Sequence, residues 1–221
     1  MEEQMQFIFE QIRTGGDRNF GYLIGDRDMR VCAAIDPSYT PEKFEERARL
    51  QGMSIKWIFN THSHHDHTNG NETLKNLTGA KVAAFHNSPV SHEITLKDEE
   101  IFLIGQFPWK IIHTPGHCND HIVLVSKEFR IAITGDHLFV GKIGGTGSEL
   151  SSEQQWNSLN RMISELPAET SIWPGHDVGC RPSSTMQLEL ACNPFLRAHN
   201  FEEFMSLKES WPQYKSSHGL L

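Results

Sequence analysis

Residues 61–67 read Thr61-His62-Ser63-His64-His65-Asp66-His67. Imidazole and carboxylate are the side chains that hold borderline metal ions and move protons near neutral pH. In an extended chain, residues two apart point to one side, so His62 and His64 face together. Asp66 and His67 follow where the chain turns into a helix. Two of these four groups can serve one metal and two its neighbour. Three later segments carry the same signature: Thr114-Pro115-Gly116-His117, Thr134-Gly135-Asp136 and Pro174-Gly175-His176-Asp177. Each sets a His or Asp just past an expected strand and beside glycine, which permits close backbone approach. Strand ends along one sheet edge converge, so the four segments can meet.

The elements that must position these residues are legible in the hydrophobic pattern. Residues 5–13 and 20–35 read as a β-meander, with Phe20, Tyr22 and Ile24 alternating. Thr40-Pro41 reads as an N-cap and first-turn proline opening a helix to about Leu50. Ile55 to Phe59 is a short buried strand, and the histidine-rich segment follows it at once. Residues 67–78 are expected as one helix ended by Gly79. Strands are expected at 81–85, 101–104, 109–113, 121–126 and 130–135. Ser151-x-x-Gln154 resembles a capping box opening a helix with Trp156, Leu159, Met162, Ile163 and Leu166 on one face. Ser171 to Trp173 is the last expected strand, and 183–208 is mostly helical with a break at Asn193-Pro194. The alternation implies an α/β protein with two sheet-containing halves.

Composition narrows the function. The chain has 221 residues, with 20 Lys plus Arg against 28 Asp plus Glu, a net charge of −8. That balance argues against nucleic acid or an anionic membrane as the main partner and points to a small-molecule substrate. No stretch approaches a membrane span and no signal core follows the acidic N-terminus, so the cytoplasm is the expected location. Cys32, Cys118, Cys180 and Cys192 form no C-x-x-C pair and read as reduced thiols. Thirteen histidines are the unusual count.

The four motifs resemble those of the metallo-β-lactamase-fold hydrolases, and within them the glyoxalase II group of thioester hydrolases. The resemblance runs from about residue 5 to about residue 200. Gly135-Asp136-His137-Leu138-Phe139-Val140 and Asn193-Pro194-Phe195-Leu196-Arg197 are further echoes. It implies a four-layer αββα sandwich, a single domain over 1–221 with a short helical C-terminal tail from about 194, and a site at one edge of the packed sheets. It also implies two divalent metal ions, with zinc ahead of iron or manganese. His62, His64 and His117 would hold one ion and Asp66, His67 and His176 the other, with Asp136 bridging. Asp66 and Asp136 are the candidate catalytic carboxylates. The donor set is all nitrogen and oxygen, which suits these metals. Two ions about 3.5–4 Å apart can activate a hydroxide and polarise a carbonyl. The expected reaction is therefore attack of metal-held hydroxide on a thioester or small ester. The alternative is a mononuclear iron persulfide dioxygenase of the same fold, which would use the equivalents of His62, His117 and Asp136.

The sequence departs from the glyoxalase II pattern at its glutathione contacts. A lysine, a tyrosine and a second tyrosine of that group are replaced by Gly145, Gly147 and Val178. Hence the substrate need not be a glutathione thioester. Residues 143–149 form a glycine-rich loop expected beside the site. His65 is expected to be solvated or to lie behind a ligand. His121 should hydrogen-bond near the metal ligands, and His137 either lines the pocket or does not. Asp177 either orients a ligand histidine or caps a helix. Cys118 is expected as a packed thiol. Arg181 and Arg197 read first as surface ion pairs and second as contacts for an anionic substrate.

Overall fold

The structure is a computed structural model that describes residues 6–218. Met5, the first residue expected in the opening strand, lies outside them. The meander forms β1 (Phe7–Gly15), β2 (Asn19–Asp26) and β3 (Val31–Ile35). Then come α1 (Pro41–Leu50), β4 (Ser54–Phe59), α2 (His65–Thr68), α3 (Asn71–Thr78), β5 (Lys81–Phe85) and β6 (Ile94–Leu96). The second half runs β7 (Ile101–Ile104), β8 (Phe107–His113), β9 (Ile122–Ser126), β10 (Ile131–Gly135), α4 (Glu149–Glu165) and β11 (Ser171–Pro174). It ends with β12 (Ser184–Thr185), α5 (Met186–Cys192), α6 (Phe201–Glu209) and α7 (Trp211–Ser217).

Two six-stranded sheets result, ordered β1-β2-β3-β4-β5-β6 and β12-β11-β10-β9-β8-β7. Side chains alternate across each sheet, so one set packs between the sheets and the other under helices. Tyr22, Ile24, Ile35, Phe59, Trp109, Ile111 and Leu124 belong to the inter-sheet core. Phe44, Ala48 and Leu74 of α1 and α3 cover the outer face of the first sheet. Leu159, Met162, Met186 and Phe204 of α4, α5 and α6 cover the second. This is the expected αββα sandwich. No helix among the described residues is long and apolar enough to cross a membrane.

Local expectations differ from the structure in five places. The helix expected over 67–78 is two helices, α2 and α3, with Asn69-Gly70 between them. The Asn69 side chain accepts the Tyr39 N–H at 2.7 Å, and a Cβ on Gly70 would collide with the Pro37 carbonyl. The break seats the chain on the 37–39 loop. Thr40 precedes α1 as expected, but its hydroxyl donates to the Thr14 carbonyl at 3.1 Å and caps nothing. The helix α4 starts one turn early: Ser148 is the cap, its hydroxyl accepting the Ser151 N–H at 3.1 Å. Residues 184–185, expected within a helical stretch, instead pair with β11. The short strand β6 carries too few residues to announce itself by alternation.

Strand direction brings the motifs together. β3 runs parallel to β4, and β10 parallel to β11. β8 is antiparallel to β9, which is antiparallel to β10, so β8 and β10 point the same way. The C-terminal ends of β3 and β4 thus share one edge of the first sheet, and those of β8, β10 and β11 one edge of the second. Backbone bonds clamp the two edges: Ile122 N–H to the Thr61 carbonyl at 2.7 Å and Phe20 N–H to the Gly175 carbonyl at 2.8 Å.

Beside the end of β8, Arg161 of α4 bonds Asp98 at 2.9 Å, Glu165 at 2.8 Å and Glu99. Burial alone would raise the Asp98 carboxyl, but Arg161 and the His113 N–H hold it below its ordinary value. Burial likewise opposes, and Lys110 and Arg161 outweigh it, at Glu165. A carboxyl with a lowered folded pKa contributes stability above its unfolded value, and the contribution disappears as pH falls through the folded one. Arg161→Ala should therefore cost about 1 kcal/mol near neutral pH after allowing for solvent screening. In urea unfolding the gap between the proteins should shrink on acidification below about pH 4. A gap that persists undiminished in acid would show that the ion pairs are not its source.

Candidate metal centre

The strand ends deliver seven side chains to one place. His62 and His64 follow β4, Asp66 and His67 lie on α2, His117 follows β8, Asp136 follows β10, and His176 follows β11. Their donor atoms form three overlapping groups able to hold a metal ion: His62, His64 and His117; His62, His67 and Asp136; and Asp66, His67 and His176. His64 Nδ1 lies 2.9 Å from His62 Nε2 and 3.0 Å from His117 Nε2. His67 Nε2 and His176 Nε2 are 3.3 Å apart, and each lies within 3.7 Å of Asp66 Oδ2. Metal–nitrogen bonds of about 2.0–2.1 Å in a tetrahedral shell place donors roughly 3.3 Å apart, which matches this spacing.

Proton bookkeeping shows which nitrogens are available. His67 Nδ1 donates to Asp36 Oδ2 at 2.9 Å, His117 Nδ1 to the Gly145 carbonyl at 2.7 Å, and His176 Nδ1 to the Asp17 carbonyl at 2.8 Å. The Thr61 hydroxyl donates to Asp36 at 2.6 Å, so its oxygen accepts from His62 Nδ1 at 3.1 Å. In all four rings the outward nitrogen carries a proton, which leaves Nε2 as the inward atom that can offer a lone pair to a metal ion once any proton there is displaced. Such outer hydrogen bonds fix tautomer and orientation at metal sites. Asp136 Oδ1 is buried with no hydrogen-bond partner among the described residues, as a carboxylate reserved for a cation would be. Donor chemistry, spacing and the orphaned oxygen all fit a divalent metal ion.

Electrostatics point the same way. Burial would raise the Asp136 carboxyl, but His67, His176 and His117 hold it well below the usual carboxylate range. Asp66 is opposed by burial in the same way and is lowered by Asn19, His67 and His176. Burial pushes His67 down, yet Asp36, Asp136 and Asp66 lift it to about 9. Burial and the neighbouring imidazoles push His62 well below its ordinary value.

Glycine placement explains the tight fit. A Cβ on Gly175 would collide with Asp136 Oδ1 and come within 2.9 Å of the His67 ring. The glycine-rich loop does lie beside the site, and Gly145 supplies the carbonyl that holds His117.

The other singled-out residues divide. His65 is exposed, outside the donor groups. His121 Nε2 accepts the Asp136 N–H at 3.1 Å, and its Nδ1 meets the Thr114 hydroxyl at 2.8 Å, so it braces Asp136 from behind. His137 is fully buried and does not line an open pocket. Asp177 pairs with Arg13 and touches no ligand histidine. Cys118 is a half-buried thiol donating to Asp120 at 2.9 Å. Arg181 and Arg197 are exposed. Sequence reasoning missed Asp36, Asn19 and Thr114. Asp36 ends β3 as Asp136 ends β10, a visible parallel, but it lies outside every histidine motif. Asn19 donates to Asp66 Oδ2 at 2.9 Å from the β1–β2 turn, a position with no sequence mark.

Comparison with known proteins agrees with this geometry. The Metallo-beta-lactamase superfamily model matches residues 21–176. The chain is 36% identical over 189 residues to a hydroxyacylglutathione hydrolase of Rhodospirillum rubrum, covering 83% of this chain and 72% of that one. It is 38% identical over 170 residues to one of Maricaulis maris, covering 72% of this chain and 62% of that one, so these relatives extend beyond the match. The solved structure of ETHE1 from Myxococcus xanthus superposes with a TM-score of 0.85 at 28% identity, covering 92% of this chain and 91% of that one. The chain belongs to the metallo-β-lactamase superfamily.

Two outcomes follow for the metal-free protein. Asp36→Asn keeps the shape and tolerates the left-handed backbone at this residue (φ 48°). It should weaken metal binding roughly 10- to 100-fold in a chelator competition, without loss of the far-ultraviolet circular dichroism signal. Unchanged affinity would remove Asp36 from the centre. A His67 pKa of about 9 also means that a metal must displace a proton there. Apparent affinity should rise with pH toward that value, with proton release measurable by calorimetry in buffers of different ionisation enthalpy. Flat affinity over that range would contradict it.

Proposed function

We propose that the chain is a dinuclear metal-dependent hydrolase of small acyl thioesters, working in the cytoplasm as one domain. One observation carries this reading: Asp136 lies against nitrogens of both the His62–His64–His117 group and the Asp66–His67–His176 group. Its Oδ1 lies 3.4 Å from His67 Nε2, and its Oδ2 lies 3.6 Å from His117 Nε2 and 3.3 Å from His176 Nε2. In this reading His62, His64 and His117 hold one ion, Asp66, His67 and His176 the other, and Asp136 bridges. Nitrogen and oxygen donors without thiolate suit zinc, iron or manganese, and the resemblance to glyoxalase II puts zinc first. When bound, the ions supply a water-derived nucleophile at neutral pH and polarise the acyl carbonyl.

The chain's own residues set the rest. Asn19 fixes Asp66 through bonds to its Oδ2 at 2.9 Å and its backbone carbonyl at 3.1 Å. The Asp136 carboxylate stays ionised for the reasons given above, and the backbone of the same residue is held by its N–H donating to His121 Nε2 at 3.1 Å. No lysine or tyrosine is needed as a general acid, because a departing thiolate is a weak base. Free thiols at exposed Cys180 and Cys192 suit a reducing compartment. The relatives named for hydroxyacylglutathione support thioester cleavage as the reaction. The glycines at 145 and 147 argue for another thiol than glutathione.

Metal analysis with a substrate panel tests the proposal. Two metal ions per chain, mainly zinc, are expected, with thioester turnover lost on chelation and restored by zinc. Asp136→Ala should lower kcat/KM by about 100-fold or more. S-lactoylglutathione should be turned over less well than the best other acyl thioester. A single iron per chain, with oxygen consumption on a persulfide and no thioester turnover, would establish the dioxygenase instead.

A further inference from the structure

Helix α4 buries three polar side chains on its core-facing side, where apolar ones would be expected. Ser152, Gln155 and Ser158 are three apart, hence on one face, and all are buried. Each reaches a loop of the metal centre. The Ser152 and Thr146 hydroxyls share a hydrogen bond at 2.6 Å. Gln155 Nε2 donates to the Gly144 carbonyl at 3.0 Å, and the Ser158 hydroxyl donates to the Pro115 carbonyl at 2.8 Å. Burying such groups costs free energy unless they are paired, and here every pair is to a loop beside His117.

Gln155 meets both segments that set His117. Gly116 precedes that histidine, and a Cβ there would collide with the Gln155 Cβ. The other segment is Gly144-Gly145, whose second carbonyl accepts the His117 Nδ1–H at 2.7 Å. Two successive glycines have wide backbone freedom, so an acceptor there stays in place only if something outside holds it. The Gln155 amide holds the adjoining Gly144 carbonyl, and it does so in only one of its two orientations. Flipped, its Oε1 would face the Gly144 oxygen. Lys208 of α6 selects the orientation, because its ammonium donates to Gln155 Oε1 at 2.9 Å and cannot accept. Gln155 is the one hydrogen-bond partner of that ammonium among the described residues, and the Phe204 ring centroid lies 5.3 Å away. Burial lowers the Lys208 pKa to about 8, which leaves it mostly charged at neutral pH.

We propose that Gln155 is a positioning residue for the candidate metal ligand His117, and that Lys208 on the C-terminal helix α6 sets the direction of its amide. The line runs from Lys208 Nζ through the Gln155 amide and the Gly144-Gly145 segment to His117 Nδ1. It ties a helix outside every metal motif to the tilt of one donor imidazole. Neither residue touches the reacting atoms. The inference rests on the metal reading of the centre and not on the identity of the substrate.

Four variants test it without requiring turnover. Gln155→Glu keeps the size and the contact to Lys208, but its carboxylate cannot donate to the Gly144 carbonyl. Gln155→Met removes both bonds, Lys208→Met frees the amide to flip, and Lys208→Arg keeps a donor for Oε1. In a chelator competition with zinc, the first three should bind metal about 3- to 10-fold more weakly, the scale of one lost hydrogen bond. Lys208→Arg should stay near the parent. The selective readout is solvent exchange of imidazole N–H protons, followed by magnetic resonance on protein labelled at histidine nitrogen. The His117 Nδ1–H should exchange about 3- to 10-fold faster in the first three variants. The His67 Nδ1–H, held by Asp36 of the first sheet, should not change. A merely structural role would lower the melting temperature and move both protons alike. Lys208→Met, at a half-exposed position, decides the matter if a Gln155 variant fails to fold. Unchanged exchange at His117, an equal change at His67, or unchanged metal affinity overturns the inference. Lys208→Arg as damaging as Lys208→Met overturns the role of Lys208. Failure of the metal reading would appear separately, as absence of zinc binding by the unaltered chain, with the exchange comparison still measurable on the metal-free proteins.

Discussion

A single buried carboxylate organises the centre from behind. Asp36 accepts the His67 Nδ1–H at 2.9 Å, the Thr61 N–H at 2.8 Å and the Thr61 hydroxyl at 2.6 Å. Through Thr61 it also sets the proton on His62. Two of the clustered imidazoles therefore take their tautomer and tilt from one anion. Burying that anion costs free energy unless each lone pair is matched, and three charge-assisted bonds match them. Its left-handed backbone lets β3 end and turn at the place where the carboxylate must point back toward β4. Without this anchor the inward nitrogens of His62 and His67 would have no reason to face each other.

The sandwich explains why such an arrangement can exist. Imidazole nitrogens 2.9–3.3 Å apart repel when both present lone pairs, so something must hold them there. Here the inter-sheet core and the cross-sheet backbone bonds at Thr61 and Gly175 supply the restraint. The core lies wholly on the strands, and the donors lie just past their ends. Core packing and metal geometry are thereby separated: the first fixes strand positions, the second uses short loops of glycine, proline and threonine. Metal binding then adds stability to a fold whose strained edge is ready for it.

The donors were legible in the sequence because each stood in a local motif. His62, His64, Asp66 and His67 are consecutive enough to be read from spacing alone. His117, Asp136 and His176 carry glycine next to them for a physical reason that the structure repeats at Gly175. The residues that hold the donors were not legible. Asp36 and Asn19 act on partners 31 and 47 positions away, which no local pattern records, and Thr114 holds His121 through the β8–β9 connection, where nothing in the sequence marks a threonine as a brace. The secondary elements followed the same rule. Long periodic segments such as α4 were visible, while the α2–α3 break depended on a tertiary contact with Tyr39. Thr40 failed as a cap because Thr14, from another strand, offered a better acceptor.

The glycine-rich segment shows how one centre can serve different substrates. At Gly145 only the backbone carbonyl is used, to fix His117, and no side chain is required for that task. A residue there is free to carry a substrate contact or to carry none. In this chain it carries none, and neither does Gly147, so binding selectivity must come from elsewhere on the rim. The turn at Phe139–Lys142 is locked by Glu189, which accepts the Gly141 N–H, and by Asn193, which donates to the Lys142 carbonyl. That turn continues directly from Asp136, and its Phe139 ring stands edge-on to His176 at 5.8 Å, so the rim and the donors share one segment. The donor positions follow the family pattern closely, while the rim at Gly145 and Gly147 departs from it.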